Sequence, residues 1–106
     1  MTREVRSLLT ELKRGLQAVY GPRLQSVYLF GSYARHEEDA ESDVDVLIVL
    51  DSVDHYAAEV ERTSLLISTL SLRYGVSISR VLVSQTAWAE RRTPFLAALA
   101  DEGVSV

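Results

Sequence analysis

The stretch from Gly31 to Leu50, GSYARHEEDAESDVDVLIVL, places Asp43 and Asp45 at the start of a strongly apolar run, with a glycine-serine pair ten residues before them. On a strand, residues two apart point to the same face with backbones roughly 7 Å apart. Two ionised carboxylates so placed repel each other and lose hydration beside apolar neighbours. A hard divalent cation between them offsets both penalties. Mg2+ suits such oxygen donors, since it keeps several waters and shares its remaining positions with phosphates. The Gly31-Ser32 pair offers the other half of a site. Glycine lets the backbone approach a ligand closely, the N–H groups that open the next helical turn point at an anion, and Ser32 adds a hydroxyl donor. A phosphate cradle beside a carboxylate-metal site is equipment for phosphoryl or nucleotidyl transfer. Asp43 and Asp45 are therefore the candidate catalytic residues and metal ligands, and Gly31 and Ser32 the candidate phosphate binders.

These residues need a scaffold, and the surrounding pattern supplies one. Val5, Leu8, Leu9, Leu12, Leu16 and Val19 recur at helical spacing, with Thr2 as an N-cap and Gly21-Pro22 as a stop. Leu24–Phe30 is β-rich and ends at the Gly-Ser turn, after which a short helical turn is expected. Asp43–Leu50 reads as a second strand, apolar on both faces at its end and so buried within a sheet. Asp51-Ser52-Val53-Asp54 offers cap chemistry for a helix to about Tyr74, its face marked by Val53, Tyr56, Ala57, Val60, Ser64, Ile67 and Tyr74. Gly75 suits the C-terminal cap. Val76–Val83 is a third strand. Ser84 caps a short helix carrying Trp88, and Thr93-Pro94 opens a last helix that ends at Gly103. This order predicts a single domain over residues 1–106 with a layered α/β (α+β) fold.

Composition narrows the class. There is no cysteine, hence no disulfide and no thiolate metal site. The charged N-terminal stretch lacks the apolar core of a secretory signal, and no apolar run is long enough to span a membrane; a cytoplasmic location is expected. Net charge is −4, but the acidity is local: residues 37–45 hold six acids and no base, against nine acids and eleven Lys and Arg elsewhere. No basic track for a long nucleic acid is visible. A small polyanion neutralised by a divalent metal is compatible with this balance.

Gly31-Ser32, ten residues and Asp43-Val44-Asp45 resemble the signature of the polymerase-β-type nucleotidyltransferases. The short length, Tyr33-Ala34-Arg35 and Ser42-Asp43 are similar to the minimal nucleotidyltransferase (MNT) group, over nearly the whole chain. The resemblance implies a small mixed β-sheet with helices packed on one face, Mg2+ at Asp43 and Asp45, and ATP at Gly31 and Ser32. It also implies an antitoxin beside a HEPN-domain ribonuclease toxin, with AMP passing to a toxin tyrosine. Arg35 is expected to touch the triphosphate or to pair with the acidic loop. The chain has no separate acceptor domain, so a homo- or hetero-oligomer is expected to build the acceptor pocket.

Two positions depart from the family pattern. The third carboxylate normally sits on the next strand, but residues 76–83 contain no acid; Ser77 or Ser79 occupies that region. His36 stands where a glycine often follows the arginine. Two carboxylates can still bind Mg-ATP, while general-base help and a second metal lose their ligand. A second reading thus stands beside the enzyme: a degraded MNT fold that neutralises a HEPN partner by complex formation alone. Of the other candidates, His36 and His55 read as solvated residues and Trp88 and Phe95 as packing residues. Arg80 reads as a half-buried cation that needs an acid or phosphate partner.

Overall fold

The computed structural model describes residues 2–106. Helix α1 (Arg3–Tyr20) starts where the Thr2 hydroxyl accepts the Val5 N–H at 3.2 Å, and ends at Gly21 and Pro22, which open a 3-10 turn. Its leucine stripe is buried as the spacing predicts, except that Val19 is exposed and Tyr20 takes the inward position. Strand β1 (Leu24–Phe30) pairs antiparallel with β2 (Val44–Leu50). Helix α2 (Tyr56–Tyr74) carries the chain to β3 (Ile78–Ser84), which lies parallel to β2. Helices α3 (Gln85–Glu90) and α4 (Pro94–Glu102) follow, and a two-residue strand β4 (Val104–Ser105) joins the free side of β1. The sheet order is β3-β2-β1-β4.

β2 is central, and every residue from Val46 to Leu50 is fully buried. Full burial of such side chains stabilises by about 2 kcal/mol each. Alternation divides them between two cores. Val44, Val46, Ile48 and Leu50 meet α1 and α2; Leu47 and Val49 meet Trp88, Leu96 and Leu99 of α3 and α4. The mixed α/β sheet is as expected. The two long helices share one face, and the short α3 and α4 cover part of the other, beyond the single helical face that the resemblance implied.

Three local expectations shift. Helix α2 is not capped by the 51–54 segment: His55 is its N-cap residue and makes no side-chain cap bond, while Asp51 binds Arg23 and the Ser52 N–H. Its inward stripe is Glu59, Thr63, Ile67 and Leu70, with Tyr56 and Ser64 exposed. And β3 begins at Ile78 because the Val76 N–H bonds back to Ser71, closing α2 over the left-handed Gly75.

Glu59 is buried because it is paired. Arg23 donates to it at 2.6 Å and the Tyr20 hydroxyl at 3.2 Å. Burial pushes the Glu59 carboxyl up, but the Arg23 hydrogen bond and charge, with the Tyr20 hydroxyl, outweigh it and hold the pKa below the ordinary value. Burial and Glu59 together push the Tyr20 phenol up to about 12. A lowered folded-state pKa stabilises above the unfolded value, 4.5, and that contribution is lost as pH falls through the folded value. Arg23→Met is expected to cost about 2 kcal/mol at pH 7, less than the roughly 3–5 kcal/mol of a fully buried broken pair because Arg23 is part-solvated. The cost should shrink near pH 4, where Glu59 can take a proton. Denaturant unfolding at both pH values checks the sign.

Candidate active site

The carboxylates stand at the start of β2. Asp45 faces the α3/α4 side with Leu47 and Val49, and Asp43, two residues earlier, shares that parity. Asp45 lies between Phe30 on β1 and Ser79 on β3 in the sheet register. Asp43 is exposed and Asp45 half-buried. Neither accepts a hydrogen bond from a protein donor among the described residues. Burial, then the Asp43 charge, push the Asp45 carboxyl up, and the Arg35 charge pulls it partly back. A half-buried carboxylate with a like charge beside it and no donor is short of positive charge. All-oxygen donors in that state fit Mg2+; among the described residues no third His, Cys, Asp or Glu joins them.

The Gly-Ser turn is pressed against this pair. Gly31 has φ +76°, and a Cβ built there would overlap the Asp45 carboxylate, 3.1 Å from its carbon. The turn from Gly31 to His36 is a single helical turn, closed by Arg35 N–H to Gly31 O at 3.2 Å and Glu37 N–H to Ser32 O at 2.9 Å. It is shorter than a helix, so it brings local donors rather than a macrodipole. The N–H groups of Ser32, Tyr33 and Ala34 and the Ser32 hydroxyl meet no protein acceptor among the described residues. Consecutive free amides of this kind form an anion-binding concavity. Gly31→Ala is expected to lose at least tenfold in Mg-ATP affinity and about 1–2 kcal/mol of stability, from the left-handed backbone and the displaced carboxylate. Calorimetric titration and thermal unfolding measure both.

His36 also has positive φ, +58°. The position where the family pattern carries glycine is thus left-handed here too, and His36 bears the strain. His36→Gly is expected to raise stability by up to about 1 kcal/mol, seen as a higher unfolding temperature.

Arg35 reaches Glu37 at 3.3 Å and Glu102 at 3.4 Å. The loop acid was expected; Glu102, from α4, was not. These exposed pairs are long and weak, so the guanidinium is available to an incoming anion. Among the described residues Arg80 has no acid partner. It donates to Thr63 Oγ1 at 2.6 Å, Val60 O at 2.8 Å and Ser64 Oγ at 3.2 Å, tying β3 to α2 away from the carboxylates. The acidic loop is exposed but folded: Asp39 accepts the Glu41 N–H, and Ser42 Oγ accepts the Asp39 N–H. Trp88 is buried against Tyr28, and Phe95 is half-exposed, edge-on to Phe30. The cleft behind the turn, lined by Val5, Tyr33, Ala40 and Tyr74 among others, holds only about 220 Å³, below the roughly 300 Å³ of ordinary small-molecule pockets. Of the two serines expected near the third-carboxylate position, Ser79 is the one paired directly with Asp45 in the sheet register.

Residues 6–88 match the model of the nucleotidyltransferase domain family. Over 103 residues the chain is 33% identical to MJ0141 of Methanocaldococcus jannaschii, provisionally named a protein adenylyltransferase, covering 97% of this chain and 99% of that one. It is 32% identical over 84 residues to the protein adenylyltransferase MntA of Thermococcus cleftensis, covering 79% and 83%. Among solved structures, a Sulfolobus solfataricus protein described as a nucleotidyltransferase superposes with a TM-score of 0.65 at 20% identity, covering 96% of this chain and 80% of that one. A chain of a toxin-antitoxin complex with AMP-PNP superposes at 0.58 and 23% identity, covering 98% and 72%. At these identities the superpositions show the shared fold. No helix among the described residues is long and apolar enough to cross a membrane.

Proposed function

This chain belongs to the nucleotidyltransferase domain family, and from that premise we propose that it transfers AMP from Mg-ATP to a hydroxyl of a protein partner, as the antitoxin of a toxin-antitoxin pair. The observation that carries the reading is the donor-poor, half-buried Asp45 beside Asp43, pressed against the free amides of the Gly31-Ser32 turn. Relatives named as adenylyltransferases and a fold shared with a toxin-antitoxin chain support it. The partner is a HEPN-domain toxin, and the acceptor is a tyrosine.

Asp43 and Asp45 hold Mg2+, which when bound neutralises charge on the phosphate oxygens. Gly31 and Ser32, with the amides of Tyr33 and Ala34, hold the triphosphate tail and fix the α-phosphoryl group beside Asp45. Arg35 moves its charge from Glu37 and Glu102 to the phosphates. The acceptor oxygen bonds to the α-phosphorus, the bond to the bridging oxygen breaks, and pyrophosphate leaves. With Ser79 in place of an acid, the hydroxyl proton passes to water, and turnover is slow. The same vacancy in the carboxylate set favours the second reading, neutralisation by contact alone.

Incubating the protein with labelled ATP, Mg2+ and its genomic-neighbour toxin separates the two. Label on a toxin tyrosine, absent with Asp43→Asn/Asp45→Asn, supports transfer. A complex that forms without ATP and still silences the toxin in that double variant overturns it in favour of binding alone.

A further inference from the structure

We infer that the outer edge of β3 is where the acceptor binds: an extended segment of another polypeptide adds to the sheet there and delivers a tyrosine to the carboxylate face. This rests on the transfer reading above and adds the location and conformation of the acceptor.

The fold treats its two sheet edges differently. On the β1 side, β4 pairs with Tyr28 and Leu29, the Val106 N–H reaches Val27 O at 3.0 Å, and Lys13 Nζ holds the Val106 carbonyl. On the other side, β3 ends the sheet. Among the described residues no hydrogen bond, from backbone or side chain, reaches its outer side. Its pairing fixes which groups are free. The Val44 N–H donates to Ser77 O at 2.9 Å with Val44 opposite Ile78. In a parallel ladder the groups of Ser79, Val81 and Val83 then face β2, and those of Ile78, Arg80 and Leu82 face outward.

An open edge invites pairing with other chains, and proteins usually blunt it with charge, proline or a bulge. β3 reads ISRVLVS and has no proline and no irregularity in its register. Its one charge, Arg80, is turned onto α2. The unblunted edge is also the one nearest the site. Ser79, small and exposed, is the sole residue between Asp45 and the open side at that level of the sheet. Strands lie about 4.8 Å apart, so a strand added beyond β3 runs about 10 Å from Asp45, its side chains in that register on the same face. Serine is too short to cross that gap; a tyrosine covers most of it, which brings its oxygen within reach of a phosphoryl group held beside Asp45. β-branched residues two positions from the tyrosine share its face and would meet the half-buried Val81 and Val83. The phenol oxygen bonds to the α-phosphorus of ATP, pyrophosphate departs, and the phenol proton goes to water.

The test uses isotope-labelled full chain, Mg-ATP and three probes: the blocked peptide KTVYVTK, the same peptide N-methylated at its Val and Thr residues, and an alanine-rich helical peptide with one central tyrosine. Millimolar KTVYVTK should slow amide exchange of Arg80 and Leu82 by about tenfold or more. The methylated and helical peptides should leave them unchanged, and AMP should accumulate on KTVYVTK alone. No slowing by KTVYVTK overturns the docking, even if AMP is transferred. Equal slowing by the methylated peptide overturns it as well. So does concentration-dependent protection of Arg80 and Leu82 without peptide, which would put a second copy of the chain on the edge. Slowing without AMP transfer supports the edge and counts against the transfer reading instead, so the two fail separately.

Discussion

Replacing Asp43 and Asp45 together by asparagine should abolish AMP transfer, by about 10³-fold or more, while raising the unfolding temperature of the metal-free protein. The two effects have one cause. Asp45 is half-buried beside a like charge and receives no hydrogen bond among the described residues; burial, then the Asp43 charge, push its carboxyl above its ordinary 3.8. A folded-state pKa above the unfolded value means that the folded chain binds the proton more tightly, so stability falls as pH rises through that window. At neutral pH the metal-free wild type carries the full penalty and the asparagine variant none. Added Mg2+ should raise the wild-type unfolding temperature and leave the variant unmoved. Thermal unfolding with and without Mg2+, beside the transfer assay, reads both arms. A variant that loses activity but also loses stability would mean that the carboxylates are structural.

Ser79→Asp should act in the opposite sense and raise the transfer rate by about 10²-fold, the lower end of what a positioned general base contributes. Ser79 is directly opposite Asp45 across the parallel β2–β3 pair, one strand spacing away, on the face where the proposed acceptor hydroxyl would arrive. A carboxylate there would accept the proton that otherwise passes to water. It would also add a third negative charge, so the metal-free variant should unfold at lower temperature and recover with Mg2+. Single-turnover rates against pH distinguish a base from a better binder: the gain should appear in the chemical step and vanish as the new carboxyl is protonated. Unchanged turnover would show that proton removal does not limit this chain.

The motif was legible because its parts are local. Gly31, Ser32, Asp43 and Asp45 need only a turn and strand parity to meet, and the register that joins Phe30 to Asp45 does the rest. Caps were legible for the same reason: Ser84 and Thr93 bond to amides three residues on. What sequence patterning missed depends on distant partners. The inward face of α2 carries Glu59 and Thr63, polar residues that apolar periodicity assigns to water, and Arg23, Tyr20 and Arg80, reaching in from other elements, help make their burial tolerable. Glu102 reaches Arg35 from 67 residues away. β4 is too short to carry a pattern of its own. His36 carried a signal, a histidine in the family's glycine position, whose meaning needed the backbone angle.

The chain has one tryptophan, Trp88, buried 5.1 Å from the Tyr28 ring with the Arg91 guanidinium over its own face. Tyr28 is opposite Leu47, one strand repeat from Asp45. The indole therefore emits from a dry, tyrosine-fed niche on the Asp45 side of the sheet, and its fluorescence can follow events there without a label.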